Sequence, residues 1–284
     1  MGRLLVAFHV YYHDQVPWFI GKMRNINGCE WDLVVTFSEY DETTDRLLRE
    51  FKPDVRMLHT ENAGYDIWPF IHALRSTDLS AYDRVMKLHT KNTEDFRWKA
   101  NGIRYRGTKW RDTLVDAMLS SADRFRRCYG SFDADPSVGM VCSHELLVDL
   151  SRRRPEDMSA LTAEAKRIGM SVTKGRFCAG TMFMTRPSCL SRIIDSDLDQ
   201  ESWGSDTASH RIGTMAHVYE RILTISVYDA GYKVMTVASY PFNKVRVGVY
   251  RFINKIFKSI LNVDRNGEDG RKYLTLLGIS IPLS

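Results

Sequence analysis

Three short segments carry side chains suited to holding an anionic ligand. In Lys87-Leu88-His89-Thr90-Lys91 the end of an apolar run delivers an imidazole and an ammonium two residues apart. On a strand that spacing puts both on one face, where Lys91 supplies a fixed positive charge to a diphosphate and His89 a hydrogen-bond donor. The bland reading of the same residues is a surface lysine and a satisfied edge histidine. In Asn62-Ala63-Gly64-Tyr65-Asp66 a helix is expected to open at Asp66. The free N–H groups of a helix start suit an anion, and Gly64 lets the backbone approach it closely. A plain strand-to-helix turn capped by Asp66 accounts for the same residues. The third segment, His9-Val10-Tyr11-Tyr12-His13, ends the first apolar run, and His9 and Tyr11 share a face there. Trp110-Arg111 opens a later helix, where Arg111 is either a bidentate phosphate ligand or an ordinary helical surface arginine. No GxxxxGK[ST] or GxGxxG pattern occurs, so P-loop and ordinary dinucleotide-binding sites have no support.

The elements that must position these residues alternate. Strand-like runs at 3–10, 31–37, 55–59 and 82–88 are separated by amphipathic helical runs at 15–26, 43–51 and 66–76. That pattern predicts stacked βαβ units around a mostly parallel, Rossmann-like sheet flanked by helices, an α/β fold. All three segments then fall beyond the carboxyl ends of strands, where open α/β sheets bind ligands. Residues 90–107 read as a long polar loop, of a length that is uncommon unless functional. Residues 108–127 read as one helix, 137–143 as a strand, 176–185 as a strand containing Gly180, 214–230 as a helix and 232–238 as a last strand. A glycine inside a strand weakens it unless something approaches closely.

The chain has 284 residues with 44% hydrophobic and 26% charged, ordinary for a globular protein. No stretch approaches the roughly 18 uninterrupted apolar residues of a membrane span. The apolar start, broken by His9, reads as a buried strand rather than a signal peptide, so a cytoplasmic protein is expected. Five scattered cysteines without CxxC spacing read as reduced thiols, and no metal site is expected. The net charge of +5 is uneven, with six Lys or Arg and no acid between 230 and 263. A nucleic-acid binder is disfavoured, because the basic residues gather near the C-terminal end and no RRM, KH or zinc-finger pattern appears.

Several blocks in order resemble the rhamnan synthesis protein F family of polysaccharide-building glycosyltransferases. They are Phe8-His9-Val10-Tyr11-Tyr12, Asn62 through Phe70, Tyr82 through Lys91, Trp110-Arg111, Ala179-Gly180-Thr181-Met182-Phe183 and Gly213 through Arg221, spanning residues 5–240. The resemblance implies a GT-A-like fold and transfer of a sugar, often rhamnose, from a nucleotide diphosphate sugar to a bacterial cell-surface polysaccharide or lipid-linked acceptor. Many GT-A enzymes end the fourth strand in Asp-x-Asp, which holds a divalent metal on the donor diphosphate. This chain has His89-Thr90-Lys91 there, which lacks the oxygen ligands a hard cation needs. Metal-independent transfer without a cofactor is therefore expected. Members commonly carry Arg before the Asp and Gly before the Pro, where this chain has Tyr65 and Trp68. Asp66 is retained, to accept hydrogen bonds from ribose or sugar hydroxyls.

Inverting transfer, implied by the family, needs a base for the acceptor hydroxyl. Glu220 is the first candidate and Asp206 the second. His217 lies three residues before Glu220 on the same predicted helix, and Arg221 follows it. The group either holds a base beside a leaving-phosphate partner or forms a structural ion pair. Gly180 either flanks the donor sugar, as the corresponding strands of GT-A folds do, or serves packing. The expected organisation is a transferase domain over 1–242 and a basic amphipathic tail over 243–284. The tail's 243–261 portion either lies on an anionic membrane surface or packs on the domain with Lys and Arg outward. A nucleotide-sugar hydrolase and a catalytically silent scaffold of a polysaccharide-assembly complex are the rival functions.

Overall fold

A computed structural model describes residues 2–94, 97–150, 155–171, 175–203, 214–265, 272–276 and 279–283. The chain begins with β1 (Arg3–Val10), α1 (Val16–Met23), β2 (Glu30–Phe37), α2 (Glu42–Phe51), β3 (Arg56–His59), α3 (Ile67–Arg75) and β4 (Arg84–His89). Their boundaries follow the expected alternation closely. There follow β5 (Arg97–Ala100), β6 (Ile103–Arg106), α4 (Lys109–Leu119), α5 (Ala122–Ala134), β7 (Val138–Ser143), β8 (Leu147–Asp149), α6 (Pro155–Arg167), β9 (Arg176–Cys178) and β10 (Phe183–Thr185). The chain continues through α7 (Ser191–Ile194), α8 (Met215–Asp229), β11 (Lys233–Val237) and α9 (Pro241–Ile260) to β12 (Leu261–Arg265), β13 (Lys272–Leu276) and β14 (Ile279–Leu283).

The central sheet has seven strands in the order β11-β7-β10-β4-β1-β2-β3. All neighbours pair in parallel except β10, which runs antiparallel to both β4 and β7. Along β1, Leu5 and Ala7 face one apolar cluster with α3, α6 and α8, while Leu4, Val6, Phe8 and Val10 face another with α1, α4 and α5. Burial on both faces explains the near-continuous apolar runs of the inner strands. Parallel β1 and β4, held in register from Leu4–Arg84 to His9–His89, end together. The Thr90 hydroxyl reinforces that edge by accepting the N–H groups of Tyr11 and Tyr12 at 2.9 and 3.0 Å.

Three expectations are corrected. Residues 90–107 are not an unstructured loop throughout, because β5 and β6 form an antiparallel hairpin. Its Asn101-Gly102 tip has φ of 47° and 79°, the two left-handed positions that Asn-Gly hairpin turns supply. The single helix expected over 108–127 is two, since Ser121 caps α5 by accepting the Arg124 N–H at 3.1 Å. The strand expected over 176–185 is also two, in different sheets, because Gly180 and Thr181 turn the chain with φ of 92° and 48°. Gly180 therefore sits in a buried turn rather than within a strand.

α9 docks on the domain through one side. Val247 enters the core shared with α4 and β7, and Arg251 donates to the Leu147 carbonyl at 2.9 Å. No helix among the described residues is long and apolar enough to cross a membrane.

Candidate functional site

Lys87, His89 and Lys91 alternate at the end of β4, but only His89 and Lys91 were legible as ligands from their position. Lys87 lies inside a fully buried strand, and its side chain is 1% exposed. A buried ammonium needs a counter-charge, and Asp66 provides it: Lys87 Nζ donates to Asp66 Oδ2 at 2.5 Å. The Thr181 hydroxyl closes a triangle, accepting from Lys87 Nζ at 3.0 Å and donating to Asp66 Oδ2 at 2.6 Å. Asp66 does occupy the position before α3, yet its side chain makes no capping hydrogen bond. The cap expected of it gives way because pairing a buried ammonium outweighs the ~1 kcal/mol of a cap. Sequence reasoning missed Lys87 and Thr181. The period-two spacing of 87, 89 and 91 was the available signal for the first, and for Thr181 only its place in the Ala179-Gly180-Thr181-Met182-Phe183 block.

His89 is buried between these groups, with Nε2 3.5 Å from Asp66 Oδ1 and Nδ1 3.4 Å from Lys87 Nζ. With Lys87 donating to Nδ1, the imidazole proton sits on Nε2, which makes no hydrogen bond among the described residues. Burial holds the His89 pKa well below its ordinary value despite the pull of Asp66, so the ring is neutral at pH 7. On β1, burial likewise pushes His9 down to about 4, with Asp66 opposing and Lys87 adding to the fall. His9 Nδ1 meets the Thr36 hydroxyl at 3.1 Å. Burial pushes the Asp66 carboxyl up, but the basic side chains around it, His89, Lys87 and Lys91, hold it well below the usual carboxylate range.

Lys91 is 9% exposed, and its peptide is clamped by Gln15, whose side-chain amide donates to the Lys91 carbonyl at 2.6 Å. Its ammonium stands 4.1 Å over the Trp110 ring and has no hydrogen-bonded or ion-paired partner among the described residues. Burial lowers the pKa of Lys91 and of Lys87, and in both Asp66 and then Glu220 oppose it. Glu220 thus belongs to the same electrostatic cluster. It lies on α8, half-buried, and its Oε1 accepts the Gly180 N–H at 2.8 Å. His217, one turn earlier, accepts or donates with the Thr214 hydroxyl at 2.7 Å and sets its ring edge toward Tyr65 at 6.2 Å.

The structure brings together His9, Asp66, His89, Lys91, Gly180 and Glu220, with His217 alongside. Others are placed differently. Arg111 does not join the cluster: its guanidinium lies 3.8 Å over Trp18 and 2.9 Å from Asp112. Arg221 turns to the other side of α8, over Phe177, where it donates to the His217 carbonyl. The space beside Gly64 is filled by Trp203, whose ring would lie 2.7 Å from an added Cβ. That glycine serves packing against an indole rather than leaving the open backbone approach expected of it. Gly180 is similar, with Trp110 at 3.0 Å and Leu114 at 2.8 Å from an added Cβ. Asn62 is exposed, and the Tyr11 side chain is half exposed at the rim. Asp206 and Gly213 lie outside the described residues.

Among the described residues the donor set at this edge does not fit a divalent cation. Both Asp66 oxygens face basic groups, and the β4 end offers an imidazole and an ammonium. Among the described residues no group of three His, Cys, Asp or Glu side chains is arranged to hold a metal.

Comparison with known proteins assigns the chain to a family. Over 179 residues, 62% of the chain, it is 29% identical to WxcX of Xanthomonas campestris pv. campestris strain B100. The aligned part is 24% of WxcX, so the chain spans about a quarter of the curated relatives it matches. Among solved structures it is similar to S. aureus TarS 1-349, with 10% identity, a TM-score of 0.47 and coverage of 84% of this chain and 58% of that one. It also resembles the mannosyltransferase PcManGT of Pyrobaculum calidifontis in complex with GDP-Man and Mn2+, with 17% identity, a TM-score of 0.38 and coverage of 90% and 64%. Likenesses this loose carry no conclusion about ligand or metal. The family model described as rhamnan synthesis protein F matches residues 2–232, taking in the whole cluster from His9 to Glu220, and the chain belongs to that family.

Proposed function

We propose that the chain is a GT-A-like glycosyltransferase that moves rhamnose or a related sugar from a nucleotide diphosphate sugar to a growing cell-surface polysaccharide or lipid-linked acceptor. It works on the cytoplasmic side, with inversion and without a divalent metal. The observation that carries this reading is Lys91, 9% exposed at the carboxyl edge of the sheet, whose ammonium stands over an indole and makes no ion pair among the described residues. Asp66 and Glu220 balance its charge only at a distance, and a donor diphosphate would meet it directly. Lys87, already neutralised by Asp66, holds the site's framework instead.

In the reaction, the acceptor oxygen forms its bond to the anomeric carbon as the bond from that carbon to the diphosphate oxygen breaks. The acceptor proton passes to the Glu220 carboxylate, and the nucleoside diphosphate leaves carrying the bonding pair, stabilised by Lys91. The Gly180 N–H fixes Glu220 in position. Neutral His89, its Nε2 buried 3.5 Å from Asp66, stands behind the cations as part of that framework.

The test is a thermal-shift panel of nucleoside diphosphates and their sugars, followed by acceptor-dependent release of nucleoside diphosphate in excess chelator. Stabilisation by at least one donor and full turnover in chelator are expected. Strict dependence on magnesium or manganese would overturn the metal-independent mechanism. Donor cleavage without acceptor would favour a hydrolase, and no shift with any nucleotide a silent scaffold.

A further inference from the structure

α9 has two opposed faces. Towards the domain, Val247 is fully buried, the Tyr250 ring covers Gly102, and the Asn243 side-chain amide donates to Glu145 at 2.9 Å. Glu145 also accepts from the Ser239 N–H and hydroxyl at 2.9 and 2.7 Å, so one buried carboxylate pins the start of the helix. At 100° per residue the opposite face carries Phe242, Val245, Val249, Phe252 and Ile253, all exposed, with Phe242 at 85% and Phe252 at 65%. Of the two alternatives for this segment, the packed one holds for Val247 and Tyr250, while most of its described apolar residues face outward together with Lys244, Arg246 and Lys255.

Exposed large apolar residues are scattered singly on most proteins. Here seven of the nine among the described residues fall between 240 and 256, so they form a patch. Its surroundings select the partner: Lys244, Arg246 and Lys255 are exposed beside the stripe, and residues 230–263 hold no acid. An apolar ridge whose charged neighbours on its own helix are all cations matches the acyl boundary and phosphate layer of an anionic bilayer. Lysine stems can lie along the ridge with their ammoniums at the headgroups.

We propose that this outward face of α9 seats the protein on an anionic phospholipid membrane. Glu145, which anchors α9, follows the carboxyl end of β7, and β7 runs parallel to β1 and β4. The helix therefore lies at the same edge of the sheet as Lys91 and His89, and seating it on a bilayer brings that edge towards the headgroups. This last consequence, access to a lipid-linked acceptor, rests on the proposed function; membrane binding itself does not.

Flotation of the 284-residue chain with vesicles of phosphatidylcholine, with and without phosphatidylglycerol and with no nucleotide sugar present, tests the proposal. The chain should float only with phosphatidylglycerol, and Phe242→Ser combined with Phe252→Ser should weaken binding about tenfold or more. Lys244→Glu with Lys255→Glu should do the same, with unchanged melting temperature in both variants. Failure of the parent chain to float would overturn the proposal, as would undiminished flotation of the serine variant. Conversion of a stable oligomer to monomers by the serine variant, without vesicle binding by the parent, would assign the face to a second copy instead. Because no donor is present, the result is separate from whether the site binds nucleotide sugars.

Discussion

Replacing Lys87 by Met keeps the length of the side chain and removes its charge, so the variant isolates what the ammonium does. Asp66 is left with the Thr181 hydroxyl and a neutral His89. Breaking a buried pair by removing one partner typically destabilises by about 3–5 kcal/mol. The Asp66 side chain retains 19% exposure, so solvent offsets part of the loss and about 3 kcal/mol is expected. The pH dependence follows from the direction of the Asp66 shift. In the parent protein its pKa is depressed, so its contribution is present above the unfolded value of about 3.9 and is lost as the pH falls through the folded one. In Lys87→Met the opposing effect of burial is less restrained and the carboxyl pKa rises. The deficit should therefore be smaller near pH 4, where the variant's carboxyl can stay protonated, and grow towards pH 7. Urea unfolding at those two pH values measures it. Adding Asp66→Asn should restore much of the loss, because the stranded charge is gone. A deficit below about 1 kcal/mol, or one that does not change with pH, would refute the reasoning, and so would a double variant in which the two losses simply add.

Lys91→Gln should leave stability unchanged or raised, yet weaken nucleoside diphosphate binding about ten- to a hundredfold, the value of a charge-assisted hydrogen bond; calorimetric titration reads it. Glu220→Gln keeps an oxygen to accept the Gly180 N–H, so nucleotide affinity should hold while turnover falls about a hundredfold or more, and unimpaired turnover would reject Glu220 as base. Burial depresses His9 from 6.5 to about 4, so its contribution is complete above about pH 6.5 and lost as acid is added through the folded value. The parent should therefore lose about 3 kcal/mol more than His9→Gln between pH 7 and pH 4; equal losses in the two proteins would show that His9 is not the group responsible.

The first four strands were legible because each is an apolar run bounded by turn residues and separated by a helix with a clear apolar face. The hairpin at 97–106 was hidden by its charge, although Asn101-Gly102 carried a recognisable turn signal. Residues 176–185 misled for the opposite reason. Their turn is as buried as the strands beside it, so composition offered nothing but Gly180 to mark the break. At the site, the ends of β1 and β4 could be placed from sequence, since parallel neighbours must finish at one edge. Partnerships across the sheet could not. Lys87 looks like an interruption of a core strand until Asp66 and Thr181 are seen against it, and Arg111 looks like a ligand until Trp18 and Asp112 are. Local spacing says nothing about which of two distant side chains will meet a third.

The reversed strand β10 has a consequence for how the molecule comes into being. Its first residues meet the end of β4, so the Thr181 hydroxyl reaches Asp66 across 115 positions of chain. The units β1 to β4 close through short crossovers, whereas the charged triangle waits for a segment made much later, and such non-local closures are slow. Until then Lys87 and Asp66 have only each other in a half-built sheet whose open edge is the flank of β4. The order of synthesis thus leaves the rim around Asp66 and Lys87 among the last parts to become native, and a nascent chain stopped before residue 181 should present that flank to chaperones.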